Sequence, residues 1–396
     1  MILSADELVA PGVDGPGRLQ VEGDRIVAVC QRGDVCQRGD TADTERLQCH
    51  PADAHFPVLV PGFVDVHVHG GAGAAFPGGD VEEAARAVAF HRAHGTTTTL
   101  ASLVTAAPGE LRRGVDALAE LVVDGQIAGV HLEGPWLAAS RCGAHDPAQL
   151  RDPDPDELDG LLATGVIAMV TLAPERVGAI DAVRRVARAG AVAAVGHTDA
   201  DFALTRAAIA AGARHATHLF NAMAPLHHRE PGPVAALLDD ERVTVELVTD
   251  GLHVHPALWE LVVRAAGAQR VAAVTDATAA AGMPDGAYRL GHLDVEVVDR
   301  VARLAGGAAG LGAIAGSTAT ADALFRNIVA HTAGPRAAAL RRAAEMTAAT
   351  PARALGLADV GELAVGRRAD LVGLSADLAV EAVYRSGERV PPWHER

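Results

Sequence analysis

The chain has 396 residues, with 34 basic and 50 acidic side chains, so its formal net charge is −16. Every basic residue is arginine, which excludes chemistry that needs lysine: a Schiff base, a phosphate-loop lysine or a carbamylated lysine between two metals. Such an acidic chain is also a poor partner for nucleic acids or anionic membranes, whereas a few arginines can still bind one small anion.

No signal peptide or membrane span is predicted, because the longest apolar runs fall far short of the roughly 20 residues that a spanning helix needs. The four cysteines, at 30, 36, 49 and 142, are too few for a disulfide framework in a chain of this length. We therefore expect a cytoplasmic protein with reduced cysteines.

The first 57 residues have the pattern of short strands and turns. Within them the hexapeptide VCQRGD occurs twice in tandem, at 29–34 and 35–40. An identical direct repeat of this kind is typical of a duplication that a surface loop tolerates.

From Val58 onwards, short apolar runs alternate with alanine-rich amphipathic segments. Strands are predicted at 62–68, 97–103, 127–132, 166–172, 191–195, 216–220, 243–248 and 271–274. Helices are predicted at 81–94, 110–123, 155–163, 175–189, 202–211, 233–239 and 256–266. Strands that alternate with helices of this length indicate βα units around a parallel sheet. Eight such strands favour a closed barrel over an open sheet, and helices at 318–331 and 335–349 would complete it.

After residue 351 the pattern returns to strands punctuated by Gly and Asp. Pairing the two strand-rich chain ends would avoid leaving exposed edge strands. The expected fold class is therefore α/β: a TIM-like (β/α)8 barrel over residues 58–349, with a small β-sandwich domain formed by residues 1–57 and 350–396.

Polar side chains follow almost every predicted barrel strand, at the end where barrel enzymes place their functional groups. His67 and His69 alternate onto one face of the first strand. The other strands are followed by Glu133, His197, His218, His253 and Asp276. Imidazole and carboxylate groups without clustered thiols suit zinc, iron, manganese or cobalt, so the pattern predicts a metal centre.

These ligand types predict metal-assisted hydrolysis of an amide or a related C–N bond. A divalent ion held by neutral histidines and a carboxylate polarises a carbonyl group and lowers the pKa of water toward neutrality. Asp276 stands alone at its strand end, so it is the candidate to take the proton of that water and return it to the leaving group.

Several motifs resemble the amidohydrolase superfamily: PGFVDVHVHG at 61–70, GHT at 196–198, TDAT at 275–278 and GELAVGRRADLV at 361–372. Within it, the chain is similar to the N-acetylglucosamine-6-phosphate deacetylase family, through HLEGPWL at 131–137, THLFNAM at 217–223 and REPG at 229–232. The likeness covers nearly all of the chain after the first 57 residues.

The resemblance implies an enzyme that hydrolyses the acetamide of N-acetyl-D-glucosamine 6-phosphate to D-glucosamine 6-phosphate and acetate. It implies that Glu133, His197 and His218 bind the principal metal and that Asp276 is the catalytic aspartate. His67 and His69, a pair that some family members lack, allow a second metal with Glu133 as the bridge. We expect one or two divalent ions, zinc before iron, manganese or cobalt.

The resemblance also implies where the substrate, a small phosphorylated amino sugar, would bind. In the family the arginine matched by Arg229 can come from a neighbouring subunit, which implies a homodimer. By its residue type, His253 can donate a hydrogen bond to the acetyl oxygen as it becomes an oxyanion. The implied contacts are Ala144, His145, Asn221, Ala222, Arg229, His253, Ile314, Ala315 and Gly316.

Two other enzyme activities stay open at this point, deacetylation of N-acetylgalactosamine 6-phosphate and deamination of a nucleobase, as does a non-enzymatic scaffold without metal. We expect His131 and Asp65, which lie beside ligands in the sequence, to orient them. Histidines without motif support, among them His91 and His215, are expected to lie at the surface or cap helices.

Overall fold

The computed structural model describes residues 1–13, 15–31, 36–38, 51–306 and 312–394. It divides into two compact units, one of Met1–Val64, Ala89–Thr98 and Ala321–Arg396 and the other of Asp65–Val88 and Thr99–Thr320. The domain boundaries expected from the sequence stay a prediction. Among the described residues, no helix combines the length and the apolar character needed to cross a membrane.

The described strands, in chain order, are β1 (Ile2–Leu8), β2 (Gly17–Glu22), β3 (Arg25–Gln31), β4 (Cys36–Arg38), β5 (Ala54–Pro61), β6 (Phe63–Asp65), β7 (Gly70–Gly71), β8 (Ala74–Ala75), β9 (Thr96–Val104), β10 (Gly129–Glu133), β11 (Ile167–Leu172), β12 (Val192–Val195), β13 (His215–Ala216), β14 (Thr244–Leu247), β15 (Val271–Ala273), β16 (Gly286–Leu290), β17 (Leu293–Val298), β18 (Val301–Leu304), β19 (Leu371–Leu374), β20 (Val380–Arg385) and β21 (Glu388–Arg389).

The described α-helices are α1 (Val81–Ala93), α2 (Pro108–Val123), α3 (Pro155–Leu162), α4 (Ala179–Arg188), α5 (Phe202–Ala211), α6 (Gly232–Asp239), α7 (Pro256–Ala266), α8 (Ala321–His331), α9 (Arg336–Ala344) and α10 (Thr350–Ala354). Single turns of 3-10 helix lie at Ala139–Arg141, Pro147–Gln149 and Ala268–Arg270, and a π-helical turn at Glu345–Ala349 joins α9 to α10.

Eight strands form the barrel sheet, in the order β6-β9-β10-β11-β12-β13-β14-β15. Two main-chain hydrogen bonds just beyond the strands bring the last strand to the first: Asp276 N–H donates to His67 O at 2.8 Å, and His69 N–H donates to Ala277 O at 2.7 Å. The predicted α/β barrel is confirmed. Its closure matters for function, because it places the segment that carries Asp276 beside the two histidines.

Strand β9 and helix α2 show why these segments fold as they do. All nine residues of β9 are buried, as expected for a parallel strand covered on both faces. Helix α2 buries Leu111, Val115, Leu118 and Leu121, which recur at helical spacing on one face. The amphipathic pattern therefore turns that face of α2 inward and leaves its charged face to water.

The sixth barrel strand is much shorter than the 216–220 segment predicted, because β13 ends at Ala216. Beyond it, His218, Phe220 and Ala222 have φ values of 25°, 78° and 50°. A side chain other than glycine rarely adopts these left-handed conformations, and they are incompatible with a continuing strand. The apolar letters predicted a strand where the backbone instead makes a series of turns.

A three-stranded antiparallel sheet, β16-β17-β18, lies between the eighth barrel strand and α8, where no strands were predicted. In β17, Val295 and Val297 are buried and alternate with exposed Asp294 and Glu296. The buried face packs on an apolar cluster that includes Val104 and other residues of the same unit. The alternation was visible in the sequence as DVEVV, but it follows the eighth strand, after the barrel pattern is complete.

The two chain ends form one eight-stranded sheet, in the order β21-β20-β19-β5-β1-β2-β3-β4, so their predicted pairing is confirmed. Leu19 and Ile26 from one part of the sheet share an apolar cluster with Leu371 and Tyr384 from the other. Main-chain bonds such as Ile26 N–H to Arg367 O at 3.0 Å link the two parts. The sheet thus folds over its own core.

The expectation of reduced cysteines is wrong for Cys30, which is disulfide-bonded, whereas Cys142 is a free thiol. The surface loop predicted for the VCQRGD repeat is wrong for residues 29–31 and 36–38, which lie in the paired strands β3 and β4. Residues 32–35 and 39–40 lie outside the described residues, so for them it stays a prediction.

Candidate metal centre and active site

The first group of candidate ligands comes from the segment after β6. His67 and His69 are both buried, and their Nε2 atoms lie 3.1 Å apart. The rings approach opposite oxygens of one carboxylate: His67 Nε2 lies 3.5 Å from Glu133 Oε1 and His69 Nε2 lies 3.2 Å from Glu133 Oε2. We call His67, His69 and Glu133 the strand-borne group.

The second group shares the same carboxylate at the end of β10. His197, after β12, and His218, after β13, each place Nε2 3.0 Å from Glu133 Oε1 and 3.0 Å from each other. His197 and His218 have left-handed φ values of 47° and 25°. We call Glu133, His197 and His218 the strand-end group. In each group, one ligand atom per residue lies within 4.8 Å of the others.

The electrostatics of the two groups fit a bound cation. Burial lowers the pKa of His69, but hydrogen bonds to Asp276 and Glu133 outweigh burial and raise that pKa to about 9. Burial dominates at His197 and lowers its pKa to about 4, so this ring is neutral and has a lone pair to offer. The carboxylates thus stabilise extra positive charge in a buried site, and a neutral imidazole is available as a ligand. Zinc and related divalent ions prefer this combination of nitrogen and oxygen donors.

His145 lies in the cluster but is not a ligand by its hydrogen bonding. Its Nδ1 accepts the N–H of Thr105 at 3.2 Å, so its proton lies on Nε2. That Nε2 points to Glu133 Oε2 at 3.3 Å. The ring therefore donates towards the carboxylate and orients it.

Asp276 lies at the edge of the strand-borne group, where its left-handed φ of 49° turns its carboxylate into the cavity. Oδ1 lies 3.5 Å from His67 Nε2 and 3.3 Å from His69 Nε2. Burial raises the pKa of Asp276, but the charge of His67 and a hydrogen bond from His69 outweigh burial and lower it to about 2. Asp276 is thus an ionised carboxylate that can accept a proton.

His253 faces the other oxygen of Asp276, with its Nε2 3.9 Å from Oδ2. Its Nδ1 donates to Asp250 Oδ2 at 2.7 Å, and Asp250 also accepts the main-chain N–H of His253 at 2.9 Å. These two bonds fix the ring with Nε2 towards the cavity.

A cavity of about 370 Å³ opens onto both groups. Of the predicted substrate contacts, seven line it: Ala144, His145, Asn221, Ala222, His253, Ile314 and Gly316. Ala315 is fully buried behind the wall. Arg229 is exposed on the loop after β13, where its Nη1 lies 2.9 Å from His228 Nε2, and it does not line this cavity.

Comparison with known proteins now identifies the architecture. Residues 58–390 match the model of the amidohydrolase family. The chain belongs to the amidohydrolase family.

Three relatives of this amidohydrolase are informative. An N-acetylgalactosamine-6-phosphate deacetylase of Escherichia coli O157:H7 is 38% identical over 339 residues, covering 84% of this chain and 87% of that protein. An N-acetylglucosamine-6-phosphate deacetylase of Vibrio furnissii is 35% identical over 382 residues, covering 94% and 92%. A mutant N-acetyl-D-glucosamine-6-phosphate deacetylase of Mycobacterium smegmatis, solved in complex with N-acetyl-D-glucosamine-6-phosphate, superposes with a TM-score of 0.90 at 50% identity, covering 98% of this chain and 99% of that chain. The resemblance to the deacetylases and the prediction of a hydrolase are confirmed.

The amidohydrolase site contains residues that the sequence did not single out. Ser140, Arg141, Leu290 and Ala313 also line the cavity, and Arg141 forms an ion pair with Asp199 at 2.6 Å. The signal for Arg141 was its position three residues before Ala144, a predicted substrate contact. Sequence position alone did not distinguish this arginine from a surface residue.

Two buried histidines correct another expectation. His215 and His91 are buried, so the expectation that they lie at the surface or cap helices is wrong. His215 Nε2 donates to the buried carboxylate of Glu246 at 3.0 Å. Asp65 accepts the hydroxyl of Thr275 at 2.5 Å and the N–H of His67 at 3.3 Å, and burial raises its pKa to about 6.

Proposed function

We propose that this amidohydrolase hydrolyses the acetamide of N-acetyl-D-glucosamine 6-phosphate to D-glucosamine 6-phosphate and acetate. The observation that carries the proposal is the arrangement at the cavity: four candidate metal ligands, His67, His69, His197 and His218, place Nε2 within 3.5 Å of a Glu133 oxygen, and the ionised Asp276 lies beside them. The Vibrio furnissii relative and the Mycobacterium smegmatis structure, which has N-acetyl-D-glucosamine-6-phosphate bound, support this substrate.

Glu133, His197 and His218 would hold the principal metal, and His67 and His69 with Glu133 a second one; zinc is the proposed ion. When bound, such a metal supplies a Lewis acid that polarises the amide carbonyl and acidifies water. Asp276 then takes the proton of the attacking water at its carboxylate and delivers it to the nitrogen of the leaving amine. His253, fixed by Asp250, presents Nε2 to the acetyl oxygen as negative charge develops there.

The sugar phosphate requires a cation, and we propose that Arg229 supplies it across the interface of a homodimer. A planar guanidinium binds phosphate through two parallel hydrogen bonds. Arg229 is exposed and lies outside the cavity of its own chain. Large apolar side chains are exposed nearby in the sequence and on α7, an arrangement typical of a protein interface: Leu226, Leu252, Leu258 and Leu261.

We also propose that the enzyme acts in the cytoplasm. A phosphorylated sugar is charged, and a charge crosses a hydrocarbon layer only at high cost, so the substrate stays where it is made.

The test is acetate release from N-acetyl-D-glucosamine 6-phosphate, with metal content measured on the same preparation. Arg229→Ala should raise KM for the phosphorylated sugar by about 10- to 100-fold, because charge-assisted hydrogen bonds contribute roughly 1.5–3 kcal/mol. The same variant should act on the free sugar like the wild type. Arg188→Ala, which removes an exposed arginine from α4, is the control.

Equal losses on the phosphorylated and the free sugar would remove Arg229 from phosphate binding. A protein that contains metal but releases no acetate would refute the proposed reaction.

A second candidate is deacetylation of the C4 epimer, N-acetyl-D-galactosamine 6-phosphate. It is favoured by the Escherichia coli relative, which is named for that substrate and is 38% identical. The ratio of kcat/KM for the two epimers decides between them. A ratio above about ten in either direction, roughly 1.4 kcal/mol in transition-state binding, assigns the preferred sugar.

A further inference from the structure

The carboxylate of Glu246 is buried in the centre of the barrel and belongs to neither candidate metal group. Glu246 lies on β14 and its side chain has no exposed surface. A buried carboxylate is destabilising unless its oxygens are fully paired. The hydrogen-bond partners of Glu246 therefore indicate its role.

Two groups donate to the same oxygen of Glu246. His67 Nδ1 lies 2.9 Å from Oε2, and the main-chain N–H of His218 donates to Oε2 at 2.8 Å. The other oxygen, Oε1, accepts from His215 Nε2 at 3.0 Å. One carboxylate thus contacts a ring of the strand-borne group and the main chain of the strand-end group.

The bond to Glu246 decides which nitrogen of His67 can bind a metal. An ionised carboxylate only accepts hydrogen bonds, so His67 carries a proton on Nδ1. Nε2 is then the nitrogen left to bind a metal, and it faces His69 Nε2 at 3.1 Å and Glu133 Oε1 at 3.5 Å. Glu246 therefore fixes both the orientation and the tautomer that ligation requires.

The other rings are held differently. His69 Nδ1 lies 3.2 Å from the main-chain oxygen of Ser102, and His197 Nδ1 lies 2.8 Å from that of Arg141. His218 Nδ1 is buried and has no hydrogen-bond partner among the described residues. Of the four rings, His67 is the one whose Nδ1 is held by a side chain, so it is the one that a substitution can release.

We propose that Glu246 is a positioning residue that builds the second metal site by holding His67 with Nε2 towards Glu133. The proposal rests on the metal ligands assigned under the proposed function. It goes beyond them, because it makes occupancy of the strand-borne group depend on a residue that touches neither metal nor substrate. Without Glu246, His67 Nδ1 would lose its acceptor and the ring its fixed position, whereas the strand-end group would keep its three ligands.

The test measures metal binding without substrate. Metal-free protein is titrated with Co²⁺ against a competing chelator, and the d–d absorption is followed for each equivalent. We expect two equivalents for the wild type. In Glu246→Leu, the second equivalent should bind about 10- to 100-fold more weakly, as for other residues that orient metal ligands. The first equivalent should weaken by only about threefold, because its ligand His218 loses one main-chain hydrogen bond and keeps its side chain in place.

Glu246→Gln keeps an acceptor oxygen but loses the charge, so it should weaken the second equivalent by about fivefold, less than Glu246→Leu. This variant decides the question if Glu246→Leu does not fold. Asp322→Asn, which removes a buried carboxylate paired with Arg326 in the other compact unit, is the matched control and should bind both equivalents like the wild type.

Unchanged binding of the second equivalent in the glutamine variant would overturn the proposal. So would equal weakening of both equivalents, or a wild-type protein that binds a single one. The outcome is independent of the substrate: a protein that binds two equivalents but deacetylates neither epimer would refute the proposed function and leave the role of Glu246 intact.

Discussion

The strand-borne and strand-end groups share Glu133 but are built in different ways. His67 and His69 lie at alternate positions just after β6. Main-chain bonds join that segment to the residues after β15 on one side and, through Ser102 N–H to Val68 O at 2.9 Å, to β9 on the other. His197 and His218 instead lie where their strands end, in left-handed conformations. The histidines of the first group thus lie just past a strand, in a segment bonded on both sides, and those of the second lie in left-handed turns.

The difference shows where the fold stores strain. A left-handed conformation at a residue other than glycine costs on the order of 1–3 kcal/mol, so the surroundings must enforce it. At His218, the N–H bond to Glu246 supplies part of that constraint. At His197, the main-chain oxygen accepts from Ala138 N–H at 3.0 Å.

The largest effect should come from the residue that joins the two groups. Glu133→Gln removes the charge that both groups share, so both metal equivalents should be lost and kcat/KM should fall by about a thousandfold or more. Acetate release and metal analysis on one preparation check this. Glu362→Gln, a partly exposed carboxylate beside Arg367, should change neither. If Glu133→Gln kept one full equivalent, the two groups would not depend on a common ligand.

A pair of single substitutions separates the groups. His218→Asn should lower kcat by about a hundredfold, because it removes a ligand of the principal metal. His69→Asn should lower it by about tenfold or less and abolish only the second equivalent. His255→Asn, at the exposed start of α7, is the control. The reverse order of losses would make the strand-borne group the principal site.

The histidines of the strand-borne group could be predicted from the sequence, because their alternate spacing is visible there. Alternating His67 and His69 at the end of an apolar run place both rings on one face whatever the rest of the fold does. The order of strands and helices could be predicted from short sequence patterns, and that order predicted the barrel. Because the carboxyl ends of barrel strands converge, the candidates Glu133, His197, His218 and Asp276 come together in the structure.

What the sequence could not show depends on contacts between distant residues. In the sequence, Glu246 is a single charged residue within an apolar strand. Its role becomes visible only in the structure, where His67, 179 positions away, lies beside it. The left-handed residues after β13 have apolar letters that favour a strand, and only the closed barrel forces them to turn. Arg229 belongs to the recognisable motif REPG, but the motif does not show whether the side chain serves the cavity of its own subunit or that of a neighbouring subunit.

The smallest effect should come from a side chain beside the strand-borne group. Ser102 supports it in two ways: its main-chain oxygen lies 3.2 Å from His69 Nδ1, and its hydroxyl lies 2.9 Å from His131 Nδ1. Burial and the charge of His67 hold the pKa of His131 well below its ordinary value, so that ring is neutral and its Nδ1 shares a hydrogen bond with the hydroxyl. The hydroxyl oxygen in turn accepts the N–H of Val68 at 3.1 Å.

Ser102→Ala removes the hydroxyl and leaves the main-chain oxygen in place. The two orphaned buried groups should lower the free energy of unfolding of the metal-free protein by about 2 kcal/mol, measured by urea denaturation. Both metal equivalents should still bind and kcat should stay within about twofold of wild type, because His69 keeps its acceptor. Ser4→Ala, whose hydroxyl bonds a near-surface histidine, should change stability by about 0.5 kcal/mol or less. Loss of the second equivalent in Ser102→Ala would mean that main-chain support does not suffice for His69, and the contrast drawn with His67 and Glu246 would no longer hold.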